Sequence, residues 1–72
     1  MANFIGKGLL QEYSQEVTLT QPIMVASLPA ILQIPDYLSD HLIFLRNHLR
    51  LSGKDEVLNE DEIIIFIEVM GG

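Results

Sequence analysis

The sequence has no cysteine and no tryptophan, and only 4 lysines and arginines stand against 10 aspartates and glutamates. Without cysteine there is no disulfide framework, no thiolate metal site and no thiol nucleophile. That composition fits a reducing compartment. The shortage of cations leaves a formal net charge of −6. Such a surface repels phosphate backbones and anionic lipid, so neither nucleic acid nor a membrane is an expected partner. A protein with a basic docking groove is the better expectation. Long apolar runs are also missing. Met1-Ala2-Asn3-Phe4-Ile5 does not open into a signal peptide. The longest aliphatic–aromatic run, Ile63 to Ile67, falls far short of a membrane span. The expected location is the cytoplasm.

What is present is a dense apolar content, 49% of 72 residues. A domain this short buries little surface and depends on such a core. Residues 1–72 are therefore read as one domain, with no repeat, linker or low-complexity segment. Residues 3–11 read as a first strand, weakened by Gly6 and Gly8, which suggest a bulge or a close backbone approach. A polar turn over 11–15 leads to a second strand over 16–20, with β-branched alternation. Together they suggest a hairpin.

Residues 24–32 read as a short helix, because Val25, Leu28, Ile31 and Leu32 share one face. Pro29 would disrupt a helix interior but is tolerated in the first turn, which Ser27 as N-cap would provide. Ile34-Pro35 closes the helix. Asp36 to Asp40 is a loop or a single helical turn. Leu42 to Leu45 is a buried strand, Arg46-Asn47-His48 a tight turn with Asn47 able to take positive φ, and Leu49 to Leu51 a further strand. After a loop over 52–55 and an acidic turn, Asn59-Glu60-Asp61, the most apolar strand runs from Ile63 to Val69. Both its faces are apolar, so both are expected to be covered, one by the helix and the other by a loop or a partner. The order of elements implies an α+β class and matches a β-grasp, a small mixed sheet packed on one helix.

The chain stops at Val69-Met70-Gly71-Gly72. At ordinary glycine usage a terminal glycine pair arises by chance in about 1 chain in 200, so by itself it is weak. Its surroundings add to it. Phe66, three intervening residues and Gly71-Gly72 resemble the end of the ThiS and MoaD sulfur carriers. Asn59-Glu60-Asp61-Glu62-Ile63 is similar to the Asp-Gly-Asp-Glu-Val type of turn in that family. Leu32-Gln33-Ile34-Pro35 resembles its Leu-Gly-Ile-Pro helix exit, and Leu45-Arg46-Asn47-His48 stands where it has a Val-Asn-Gly turn. The resemblance runs from Leu32 to Gly72. Glu60 and His48 depart from it by replacing turn glycines, and Pro29 by lying within the helix. The length is closer to ThiS, whereas Val69 is shared with MoaD.

The resemblance implies a ubiquitin-like sulfur carrier and no enzyme of its own. Its Gly72 carboxylate would be adenylated by a ubiquitin-activating-type enzyme, become a thiocarboxylate, and pass sulfur to a synthase of thiamin, molybdopterin-type or related biosynthesis. ATP and the sulfur donor would belong to the partner, and no cofactor would stay bound to the carrier. Gly71 and Met70 would form the thin lead threaded toward ATP, since glycine enters backbone regions closed to other residues. Phe66, Glu68 and Val69 would dock, although Phe66 reads equally well as core. Asp55, Glu56, Glu60, Asp61 and Glu62 would steer toward a basic groove or form a solvated face. A ubiquitin-like modifier conjugated through Gly72 and a non-catalytic binding subunit are the alternatives.

Other signals carry less. His41 and His48 have no third ligand in register, so no metal site is expected. The serines lack a nucleophile-elbow context, and Gly6-Lys7-Gly8 is too short for a phosphate loop.

Overall fold

In the computed structural model, which describes residues 1–68, strands from the two ends of the chain lie side by side. The first strand, β1 (Ala2–Gly6), pairs in parallel with the last, β7 (Glu62–Ile67), from Asn3 opposite Glu62 to Gly6 opposite Ile65. On its other side β1 pairs antiparallel with β2 (Gln15–Val17). β7 pairs antiparallel with β4 (Leu42–Arg46), which pairs with β5 (Leu49–Arg50). The result is a mixed five-stranded sheet in the order β2-β1-β7-β4-β5. A second, two-stranded ribbon joins β3 (Ile23–Met24) to β6 (Glu56–Val57). The helical content is small: 3₁₀ turns at Gly8–Tyr13 and Val25–Ser27, α1 (Leu28–Ile31) and α2 (Asp36–Ser39). This is a small α+β domain.

The first strand is shorter than the expected 3–11. It ends at Gly6, where the 3₁₀ helix folds back so closely that a Cβ on Gly6 would overlap the Leu10 carbonyl. Gly8 takes a positive φ of 58° at the start of that helix. Leu10 is thereby fully buried. The second strand stops at Val17 rather than Thr20, because the Leu19 N–H donates to Asn59 Oδ1 at 2.8 Å instead of to a strand.

The expected single helix over 24–32 is a 3₁₀ turn followed by one turn of α-helix. Pro29 sits in the first turn of α1, where its missing N–H costs nothing. Ser27 makes no side-chain cap bond. It already has helical φ and ψ, because the preceding 3₁₀ turn runs straight into α1, and a capping side chain needs extended backbone. The tighter turn, about 120° per residue instead of about 100°, also shifts the buried stripe. Leu28 and Leu32 stay in the core while Ile31 is exposed. The helix ends in a Schellman motif: Gln33 N–H donates to the Ala30 carbonyl and Ile34 N–H to that of Pro29. Gln33 takes the left-handed position, φ 60°, that this motif usually gives to glycine.

Phe4, Leu28, Leu32, Ile63 and Ile65 form the centre of the core between the sheet and the helical segments. Asn47 and His48 have φ of 53° and 66°, which makes the β4–β5 connection a type I′ turn matched to the sheet twist. Asp61 ties the acidic turn to the sheet. Its carboxylate accepts from the Leu58 N–H and from Arg46, each at 2.8 Å, and its carbonyl accepts from the Asn3 N–H.

Two outcomes follow. Gly6→Ala should destabilise the fold by about 3 kcal/mol, since a rigid carbonyl must move; urea unfolding would read the lowered midpoint. Gln33→Gly and His48→Gly should each stabilise it by about 1 kcal/mol, because a left-handed β-carbon costs roughly that much, and thermal melts would show the rise.

Candidate functional site

Alternation along a strand divides each strand between two faces. In β7, Ile63 and Ile65 point into the core and are fully buried, whereas Ile64 and Phe66 alternate with them on the other face and are half-buried. Of the two covers expected for this strand, the helical segments lie over the face that carries Ile63 and Ile65; a loop or a partner is the cover expected for the other. On the outer face Ile64 and Phe66 are half-buried, whereas Ile43 beside Phe66 is buried, at 8% exposure.

Register assembles the outer face from separate parts of the chain. Ile64 lies opposite Ile5 on β1 and opposite Leu45 on β4. Phe66 lies opposite Ile43. None of these five side chains belongs to the central core cluster; Ile43 is buried, and Ile5, Leu45, Ile64 and Phe66 are half-buried. Phe66, which read equally well as core or docking residue, is thus on the outer face. The sequence placed Ile5 in the first strand and Ile43 and Leu45 in a buried strand; only the pairing shows that they share a surface with Phe66.

The rim of this patch is polar. Asn3 pairs with both Glu16 and Glu62 at one end. Arg50 lies opposite Leu45 at the β5 edge. The Asn47–His48 turn borders a shallow depression of 150 Å³ beside Ile64 and Glu62. The acidic residues named from the sequence divide. Asp61 is engaged by Arg46 and Leu58, and the Asp55 carboxylate accepts from the Ser52 N–H at 2.7 Å. These two hold turns in shape. Glu56, Glu60 and Glu62 are exposed.

At the far end of the patch, Glu68 is exposed and its N–H donates to the His41 carbonyl at 2.9 Å. The chain is thus anchored two residues past Phe66, at the edge of the outer face. Val69, Met70, Gly71 and Gly72, named as docking, threading and adenylation residues, lie outside the described residues.

On the core side a groove of 770 Å³, lined by Val25, Ile34, Phe44 and Asp36, extends to the β5 edge, where Arg50 borders it as well as the outer patch. Val25, Ile34 and Phe44 are core residues that retain slight exposure, 4–6%, whereas Phe4, Leu10, Ile63 and Ile65 have none. The core is open to solvent here because one turn of α1 is too short to cover the β4–β5 side.

Among the described residues no group of three or more His, Cys, Asp and Glu is placed to hold a metal ion. No described helix is long and apolar enough to cross a membrane. The Tyr13 hydroxyl is held above its ordinary range, by burial first and then by neighbouring Glu12 and Tyr37. It packs against the core side, away from the outer face. A scan against protein-family models and a search of curated proteins find no match for this chain.

The two faces should respond differently to truncation. Phe4→Ala should cost about 3–5 kcal/mol, as for a buried aromatic. Phe66→Ala should cost less than half as much, since the ring contributes little to the core. Chemical denaturation of both variants would check this.

Proposed function

We propose that this chain is a ubiquitin-like sulfur carrier, a β-grasp domain whose Gly72 carboxylate is activated by a separate adenylating enzyme. The observation that carries the reading is the continuity between the apolar outer face and the strand that leads to Gly71-Gly72. A partner that lands on Phe66, Ile64, Ile5, Ile43 and Leu45 also fixes where the C-terminal residues start. The strand order, with β1 and β7 parallel at the centre of the sheet and the helical segments on one face, is compatible with a β-grasp.

The chemistry explains why a rigid platform and a thin end belong together. A carboxylate is a poor electrophile. Attack of the Gly72 carboxylate on the α-phosphorus of ATP releases pyrophosphate and makes an acyl-adenylate. Hydrosulfide then attacks the carbonyl carbon, AMP leaves, the thiol proton is lost to solvent, and a thiocarboxylate remains. These steps take place on the partner, which holds ATP and receives sulfur from its donor. The carrier contributes position: docking converts a bimolecular encounter into an oriented one. The apolar patch supplies contact area, with Phe66 as its aromatic anchor. The acidic surface, net charge −6, favours a basic partner and speeds encounter. A sulfur-accepting synthase then takes the charged carrier, and the cytoplasm is the setting.

Intact-mass spectrometry of the protein after incubation with ATP, a sulfur source and the adenylating enzymes of the cell tests the reading. A species with one oxygen replaced by sulfur, mapped to Gly72, is the expected result. A single unmodified mass would overturn it in favour of an inert binding subunit. A ladder of heavier conjugates on a denaturing gel would instead indicate a protein modifier joined through Gly72. Deletion of Gly72, or Gly71→Val, should abolish adenylation while leaving the thermal melt unchanged. Phe66→Arg should weaken adenylation about tenfold or more through the platform, about 1.4 kcal/mol of docking energy, and raised salt should slow it further by screening.

A further inference from the structure

We draw no further inference here: the strongest candidate, the open 770 Å³ groove between α1, α2 and the β4–β5 edge, is an unpartnered apolar face, and nothing in the structure shows what covers it.

Discussion

The parallel pairing of β1 with β7 is the constraint from which the rest of the architecture follows. Parallel neighbours cannot be joined by a tight turn; the chain between them must cross over and return. Nearly the whole sequence serves as that connection. It must supply a cover for one face of the sheet, and the helical segments from Val25 to Ser39 do so. It must also bring the chain back to the start of β7, and Asp61 secures that return. Its carbonyl accepts from Asn3 at the beginning of the parallel ladder, while its carboxylate holds Leu58 and Arg46. One residue thus links β1, β4 and the turn into β7.

The cover is economical. α1 is a single turn, closed by a Schellman motif on Gln33 and followed by Pro35. Two positions that geometry would give to glycine, Gln33 and His48, carry side chains in left-handed backbone. Such residues cost conformational energy, so neighbouring contacts must over-determine the turns they occupy. Where α1 is too short to reach, the core opens into the groove.

A central strand is hydrogen-bonded on both edges, so its side chains alone decide what it presents. In β7 one set of isoleucines closes the core, and Ile64 with Phe66 lies half-buried on the other face, beside Ile5, Ile43 and Leu45. Apolar side chains gathered on an open sheet face commonly mark a place where another protein lands. On the proposed reading this face and the terminal glycines are one device. The strand gives the partner a fixed plane, and the glycines give a lead narrow enough to enter a nucleotide site.

Several features were legible directly because they depend on local chemistry. The apolar run from Ile63 to Ile67 reads as a strand, Pro35 had to end a helix, and Asn47 could take a positive φ without a neighbour's help. The Gly71-Gly72 end and the position of Phe66 beside it were also plain from the chain. Other features were not readable at that level. That β1 stops at Gly6 depends on how closely the Leu10 carbonyl approaches it. That Thr18 and Leu19 leave the sheet depends on an acceptor, Asn59, forty residues away. Ile5, Ile43 and Leu45 read as core residues until register places them with Phe66 on the other face of the sheet, where Ile43 is still buried. Periodicity determined which residues are apolar and which elements they form; only the pairing of distant strands decided the face on which each side chain lies, because a one-residue change of register reverses every one of them.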